Sequence, residues 1–568
     1  MADMIINLPS IIVPYTPQYV NPNKNGEIPL MAIGTPSGIT KFDVDTLSKM
    51  RECGMNIAQN TLIESTIGES LENAQNTGMK IMVRLYMKSF SIVKTVNEIK
   101  ERKKTDNQEV SDNLNLIDPT DPAWDSFYEM WEDVVRLYKN NSAVAGWMIK
   151  DEPTVKDFWV IAECTKRILA IVLENVGSTL VFNNLIKEMD SSHLDRLTGG
   201  MNDEKVLAHV HGYKPIQSYQ DYLWLYRQLN GPSMLSVDTY PFSGETHTFN
   251  KNLSVWEKDI YHTNVNLERN IQSFFSTMKV YNDQKFPFWS TVATTREIYK
   301  KTDVGDGGKT VTIFEDRLQS PTLATVRYQS FSALAFGACG LSFWRFSDEG
   351  KQEADPKWVD SPLGTDGKKN PTFDIVKTVA AQIKKYQKVF LNAKTVTPVL
   401  TRPYEKSEVG IDPYSEDYIP RANNTLGLKV LVVGPMGVIY DLGVVSKKAE
   451  DVVSEIEEND KRAAEYNDLV GDGGMQEIDD DTKISTITFS FLKRFFSLSD
   501  SEYGFLISHI LTDEKEYLVV VNLDYNNVQS VNMEFTDYVR DESSSTAIVK
   551  QLTVNMQPGD WRIFSRDM

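Results

Sequence analysis

Cysteine, histidine and positive charge are scarce in this sequence, and each scarcity argues against a class of protein. The 568 residues include three cysteines (Cys53, Cys164 and Cys339) and six histidines. Three scattered cysteines provide neither a disulfide framework nor the ligand spacing of a zinc site, so we interpret them as buried thiols. A formal net charge of −19 argues against nucleic acid as a partner, because phosphates would be repelled, and against an anionic membrane surface.

Long hydrophobic runs are also missing. No apolar stretch reaches the roughly 18 residues that a membrane-spanning helix needs, so we expect no membrane span. The start, Met1 to Met4, lacks the basic segment and the following apolar segment of a secretory signal. We therefore expect a cytoplasmic chain, or a periplasmic or secreted one if a signal peptide has been removed.

Short apolar strands alternate with helices between residues 30 and 392, after an extended lead-in over residues 1–29. The predicted strands begin at Leu30, Met55, Lys80, Val144, Thr179, Met234, Phe286 and Gly340. A helix that ends near a glycine follows several of them, which is typical of crossover units in a parallel sheet. Eight such units predict an α/β fold, a (β/α)8 TIM barrel.

The pattern changes after residue 393. Strands recur there without intervening helices, for example at Lys429, Phe505 and Tyr517, and predict an antiparallel β-sandwich over residues 393–568. A segment near 447–481, dense in Asp and Glu, interrupts this domain. We interpret it as a solvated insertion, because the ligand spacing of a calcium loop is missing.

Reactive groups of such barrels lie at the carboxyl ends of the strands. The candidates at these ends are carboxylates, amides, aromatic rings and arginines: Gln59, Asn60, Arg84, Tyr86, Asp151, Glu152, Asn183, Asn184, Asp238, Tyr240, Trp289, Thr291, Trp344 and Arg345, with Asp348 and Glu349 just beyond. They form neither a metal-ligand cluster nor a phosphate-binding loop, so we predict no metal and no cofactor. His209 and His211 lack an evident third ligand. Amides and carboxylates bind sugar hydroxyls, and paired carboxylates are the usual machinery of glycoside hydrolysis.

Glu152 is the residue that we predict to be the general acid. It ends the apolar run that begins at Val144, and the neighbouring Asp151 disfavours a second negative charge, which would raise the pKa of Glu152. The structural alternative is a carboxylate that caps the helix after Pro153.

The stretch from Gly146 to Pro153 resembles the fourth-strand motif of clan A glycoside hydrolases, in which the pattern ends Asn-Glu-Pro and the glutamate is the general acid/base. The segment from Arg327 to Trp344 resembles the seventh helix and eighth strand of the same clan, notably the family 42 beta-galactosidases. The resemblance implies that Glu152 is the acid/base, that Trp344 forms the floor of the sugar site, and that a sandwich follows the barrel.

Two positions depart from the family pattern. Asp151 stands where the clan has an asparagine that contacts the sugar 2-hydroxyl. The clan's nucleophile, a glutamate at the end of strand seven, has no counterpart in the segment Phe288 to Thr295. Glu297 is our first choice for the second carboxylate, followed by Asp238 and Asp348. A partner farther from Glu152 than the ~5.5 Å of retaining enzymes would indicate an inverting mechanism.

The sequence thus predicts a glycosidase that cleaves an O-glycosidic bond in an oligo- or polysaccharide. The predicted sugar-binding residues are Gln59, Asn60, Tyr86, Asp151, Asn184, Tyr240, Trp289, Trp344 and Asp348. A carbohydrate-binding barrel without catalysis is the main alternative, favoured by the missing acid on strand seven. A barrel lyase or aldolase is a third, disfavoured by the lack of a strand-end lysine or metal cluster.

Overall fold

The computed structural model describes most of the barrel and much of the C-terminal region. The described residues are 6–7, 19, 21–23, 26–36, 41–85, 118–173, 180–186, 197–207, 210–211, 213–238, 240–242, 246–250, 255–259, 287–304, 310–349, 357–402, 429–433, 439–444, 491–497, 504–544 and 547–568. The predicted sugar ligand Tyr86, the acidic insertion near 447–481 and His209 lie outside these residues.

Eight parallel strands close into a barrel, as the sequence predicts. They are β1 (Leu30–Ile33), β2 (Ile57–Leu62), β3 (Lys80–Leu85), β4 (Val144–Asp151), β5 (Leu180–Leu185), β6 (Leu235–Asp238), β7 (Phe288–Ala293) and β8 (Gly340–Trp344). Each strand pairs with its neighbours in chain order, and β8 returns to β1. Closure leaves no free edge and places all eight carboxyl ends at one mouth.

The described helices are α1 (Val44–Glu52), α2 (Ile67–Thr77), α3 (Asp125–Tyr138), α4 (Phe158–Leu173), α5 (Tyr219–Asn230), α6 (Leu323–Ala335) and α7 (Pro371–Leu391), besides the short helix Glu204–Leu207. Local sequence sets their ends. The Asp43 side chain accepts from the Thr46 N–H at the start of α1, and Gly78 ends α2 with a φ of 68°. No described helix is long and apolar enough to cross a membrane.

Apolar side chains fill the barrel interior. Ile57, Met82, Met148, Phe182 and Trp289 belong to this buried cluster. Two glycines make room for it. A Cβ at Gly146 would lie 2.6 Å from the Leu180 carbonyl oxygen, and one at Gly340 would lie 2.5 Å from the Trp289 Nε1. The interior is therefore a packed core on which the strand ends are fixed.

Three strands that the sequence reading did not find form a small antiparallel sheet. Arg296–Val304 and Thr310–Leu318 follow β7, and Lys357–Val359 follows β8. Arg296–Val304 pairs with both of the others, which makes it the central strand. Two short pairings, Ile6–Asn7 with Val210–His211 and Thr246–Asn250 with Val255–Asp259, complete the described strands of this region.

The chain divides into two compact units: Met1–Pro321 with Cys339–Lys384, which contains the barrel, and Thr322–Ala338 with Lys385–Met568. Within its described residues, the second unit holds α6 and nine antiparallel strands joined in one sheet: β9 (Thr395–Arg402), β10 (Lys429–Val433), β11 (Ile439–Val444), β12 (Leu492–Ser497), β13 (Phe505–Leu511), β14 (Lys515–Asn522), β15 (Gln529–Asp541), β16 (Ala547–Met556) and β17 (Trp561–Asp567). The antiparallel strands predicted at Lys429, Phe505 and Tyr517 are confirmed, whereas the two layers of a sandwich stay a prediction.

The core of the second unit comes from alternating positions on its strands. Val531, Met533 and Phe535 alternate with more exposed residues along β15 and are buried. Phe535 packs against Phe564 of β17, with ring centroids 5.1 Å apart. The same period-2 pattern in the sequence could have identified β15, which the sequence reading missed.

Candidate functional site

A bulge in β4 sets the direction of its acidic end. Met148 pairs with Phe182 of β5, and Asp151 pairs with Asn184, so three steps on β4 match two on β5. The extra residue displaces Lys150, whose Nζ binds the Asp157 carboxylate at 2.6 Å. The bulge therefore re-aims the strand end and places Asp151 beside Asn184.

Glu152 follows the bulge in a left-handed backbone conformation, with a φ of 44°. Its N–H donates to the Asn184 carbonyl oxygen at 2.8 Å, which holds the turn against β5. A non-glycine residue in this region costs about 1–2 kcal/mol, and such strain is common at functional sites. The side chain is partly exposed at the strand end.

Asp151 is oriented from both sides. The Arg84 Nη1 of β3 donates to its Oδ2 at 3.2 Å, and the Asn184 Nδ2 of β5 donates to its Oδ1 at 3.2 Å. The Ser236 hydroxyl of β6 in turn donates to the Asn184 Oδ1 at 2.9 Å. One hydrogen-bonded network thus connects four consecutive strands, β3 to β6.

Asp238 ends β6 and is buried, with 4% of its surface exposed. Burial raises the pKa of the Asp238 carboxyl well above its usual range, and the charges of Asp151 and Glu152 raise it further. Hydrogen bonds from Asn184 and from Thr291 of β7 partly oppose this rise. Asp238 therefore holds a proton at pH values at which an exposed aspartate is ionised.

The Tyr240 hydroxyl donates to the Asp238 Oδ1 at 3.1 Å. Burial raises the pKa of the Tyr240 phenol well above its usual range, and Asp238, Asp151 and Glu152 raise it further. The phenol therefore stays protonated and remains a donor. Asp151, Glu152, Asp238 and Tyr240, all predicted site residues, thus form one electrostatic cluster, which we call the acid cluster.

Aromatic rings lie at the end of β8. The partly exposed Trp344 packs against the interior core of the barrel. Its ring centroid is 6.2 Å from that of Trp358, at an interplanar angle of 82°. The Arg345 guanidinium lies over both rings, and its Nη1 binds the Glu349 carboxylate at 2.7 Å. Arg84 and Arg345 are thus both paired with acids.

Glu297 lies on the central strand of the small sheet, not on β7. Its Cα partner on the neighbouring strand is Trp358. The side chains of residues directly opposite one another in an antiparallel pair project from the same face of the sheet, with their Cβ atoms about 5 Å apart. Glu297 therefore shares a face with Trp358, whose ring adjoins that of Trp344.

Two buried donors, one on β2 and one on β8, have no hydrogen-bond partner among the described residues. Gln59 is 1% exposed, and no described acceptor satisfies its Nε2. The buried Ser342 hydroxyl of β8 likewise has no hydrogen-bond partner within the described part of the chain. Leaving such a group unsatisfied costs about 1–3 kcal/mol, so a water molecule or a ligand hydroxyl would be stabilised there.

Three predicted sugar ligands are engaged elsewhere. The Asn60 Nδ2 donates to the Thr35 hydroxyl at 2.6 Å. The Asp348 carboxylate accepts from the Ser361 N–H at 2.8 Å and the Asn370 Nδ2 at 3.1 Å, which holds the loop before α7. Trp289 is fully buried in the barrel core, and its Nε1 donates to the Tyr19 hydroxyl at 3.3 Å. The packing role of Trp289 is therefore favoured over a sugar platform.

Three residues of this region, Thr291, Ser342 and Trp358, are not among the predicted sugar-binding residues. Thr291 pairs in register with Asp238 on one side and with Ser342 on the other, so the three lie in one row across β6, β7 and β8. Counting alternate positions forward from Trp289 and back from Trp344 could have indicated the first two. Trp358 carries no such signal, because its strand was not predicted.

No family model matches this sequence, and no curated protein matches it. Among solved structures, the fold is similar to a catalytic mutant of a GH42 beta-galactosidase from G. stearothermophilus, at 7% identity and a TM-score of 0.49, covering 97% of this chain and 100% of that one. A cold-adapted beta-galactosidase from a Rahnella species matches at 9% identity and a TM-score of 0.45, covering 97% and 100%. A beta-galactosidase from Bacillus circulans matches at 8% and 0.45, covering 96% and 100%. At these values the matches do not identify an activity or a substrate.

Proposed function

We propose that this protein is a glycoside hydrolase that cleaves an O-glycosidic bond in an oligo- or polysaccharide, with Glu152 as the general acid. The supporting observation is the acid cluster at the carboxyl end of the barrel, where the charges of Asp151 and Glu152 act on the buried carboxyl of Asp238. Such a cluster retains a proton that isolated carboxylic acids would lose, and a general acid needs that proton. We assign delivery of the cluster's proton to Glu152, because Glu152 is partly exposed whereas Asp238 is buried.

The second carboxylate of the mechanism must be ionised to act as a nucleophile or base. The raised pKa of Asp238 disfavours its ionised form, which makes it a poor choice. Both carboxylate oxygens of Asp348 accept hydrogen bonds from the loop before α7. Glu297 is supported by its position opposite Trp358, next to the aromatic end of β8. We therefore assign the second carboxylate to Glu297, with Asp151 and Tyr240 positioning the sugar.

The test is turnover of a glycan panel by the wild type and Glu152→Gln. The panel contains galactosyl, glucosyl, mannosyl and xylosyl fluorides of both anomers and the β-1,4-linked trisaccharides of the same sugars. For the trisaccharides, whose leaving group needs a proton, loss of general acid catalysis lowers kcat by about 10²–10⁴-fold. Glu129→Gln, on the exposed face of α3, makes the same chemical change outside the site and should retain full activity. Full turnover of the trisaccharides by Glu152→Gln would remove Glu152 from the acid role.

A carbohydrate-binding barrel without catalysis is the second candidate. It is favoured by the end of β7, where Ala293, Thr294 and Thr295 provide no carboxylate. Calorimetric binding of a trisaccharide by the wild type, without turnover of any member of the panel, would support this candidate against the hydrolase.

A further inference from the structure

We propose that Trp358 binds a second sugar ring, so that the substrate is an oligosaccharide recognised over at least two rings. This inference rests on the proposed function and concerns the same site. Trp358 comes from the small sheet beyond β8, outside the set of strand-end residues. It would be a specificity-determining residue that distinguishes a glycan chain from a single sugar.

The position of Trp358 follows from backbone pairing. Its strand pairs antiparallel with Arg296–Val304, and its carbonyl oxygen accepts from the Glu349 N–H at 3.2 Å. Trp344 is the last residue of β8 and packs against the barrel core. A ring 6.2 Å from that of Trp344 therefore lies at the mouth of the barrel.

The angle between the two rings favours two sugar rings over one. A flat aromatic face covers the apolar face of one pyranose and leaves the hydroxyls at the edge in water. The planes of Trp344 and Trp358 are 82° apart, so one pyranose cannot lie flat on both. Trp344 and Trp358 are both partly exposed. Consecutive sugars of a bent chain fit this geometry.

Arg345 makes the aromatic pair rigid. Its guanidinium lies 5.9 Å from the Trp344 centroid and 5.2 Å from the Trp358 centroid. The Nε donates to the Ser347 carbonyl oxygen at 2.7 Å, and Nη1 binds Glu349 at 2.7 Å. Gly34 permits this arrangement, because a Cβ there would lie 3.1 Å from the Arg345 Cγ. Pre-ordered rings lose little conformational entropy on binding, which favours their use as a platform.

The experiment compares Trp358→Ala, Trp358→Phe and the wild type on two substrates of the same sugar. The glycosyl fluoride has a leaving group without a second ring, whereas the β-1,4-linked trisaccharide occupies both rings. We expect Trp358→Ala to lower kcat/KM for the trisaccharide by about tenfold or more. The fluoride should change by less than about twofold, since binding energy from a remote ring is absent there. Trp358→Phe should recover most of the loss.

Trp224→Ala is the matched control. Trp224 is also partly exposed, and the Arg227 guanidinium lies 5.4 Å from the centroid of its ring. It differs from Trp358 in position, because it lies on α5 rather than at the mouth of the barrel. It should leave both substrates unaffected. Equal losses on fluoride and trisaccharide in Trp358→Ala would show a purely structural role and overturn the inference, as would no loss on either.

Calorimetry separates this inference from the hydrolase proposal. The four trisaccharides and their monosaccharides are titrated into the wild type and Trp358→Ala, whether or not turnover is found. Trisaccharide binding weakened about tenfold by Trp358→Ala, with monosaccharide binding unchanged, supports the second ring site even in a protein without turnover. Trisaccharide binding that is absent, or independent of Trp358, overturns the inference and leaves the role of Glu152 to its own test.

Discussion

Two buried aspartates, one in each unit, have opposite surroundings. Asp541 in the C-terminal unit accepts from the Arg562 Nη1 at 2.7 Å and from the Ser544 hydroxyl at 2.7 Å. Asp238 in the barrel accepts from the neutral donors Tyr240, Asn184 and Thr291 and lies near two further carboxylates.

The difference shows how one residue type serves structure in one place and chemistry in another. A guanidinium balances the charge of Asp541, so its network stabilises a loop between β15 and β16. Neutral donors and neighbouring anions instead favour a protonated Asp238, which is a property typical of catalytic sites. Burial is the same in both, and the sign of the neighbouring charge decides the outcome.

The largest expected loss of stability concerns Asp541, the aspartate that is paired with Arg562. Arg562→Met leaves the Asp541 carboxylate, 2% exposed, without its cation. We expect the free energy of unfolding to fall by about 3–5 kcal/mol, because a buried charge loses its partner. Urea denaturation measures the change. Arg540→Met, at an exposed position of β15, is the control and should change stability by less than about 0.5 kcal/mol. A similar small effect for Arg562→Met would show that the pair does not stabilise the sheet.

A smaller loss of stability is expected when the Arg84–Asp151 ion pair of the barrel is broken. In Arg84→Met the Asp151 side chain, 29% exposed, can be hydrated once its cation is lost. We expect a loss of about 1–2 kcal/mol, between the values for surface and buried pairs. The acid cluster also loses a positive charge, so the apparent pKa of its proton should rise. A pH–rate profile of trisaccharide hydrolysis that stays unchanged would contradict this electrostatic link.

The smallest effect is a pH dependence of stability at Asp238. Its pKa is raised in the folded chain, so above the unfolded value of about 3.9 the folded state holds a proton that the unfolded state has lost. Stability from this group therefore falls as the pH rises from that value toward the raised folded pKa. Asp238→Asn removes the titration and keeps an acceptor for Tyr240. The difference between its Tm and that of the wild type should therefore increase as the pH rises from 4 to 8. A Tm difference independent of pH would contradict the protonated aspartate.

Periodicity and glycine positions were sufficient to predict the barrel. All eight predicted strands occur. The small sheet at the barrel mouth was missed, because its strands lie within loop insertions and follow no strand–helix rhythm. Its absence from the sequence reading left Glu297 as a loop residue and Trp358 without a role.

The sequence by itself determined that Glu152 ends the fourth strand, because the apolar run before it and the proline after it are local signals. Tertiary structure decided what Glu152 is near. Closure of the barrel brings Asp238 to the same end of the interior, and the bulge in β4 turns Asp151 toward Asn184. Pairing in the small sheet places Glu297 opposite Trp358. These are relations between segments distant in the chain, and they depend on register and on charge at close range, which no local pattern of residues encodes.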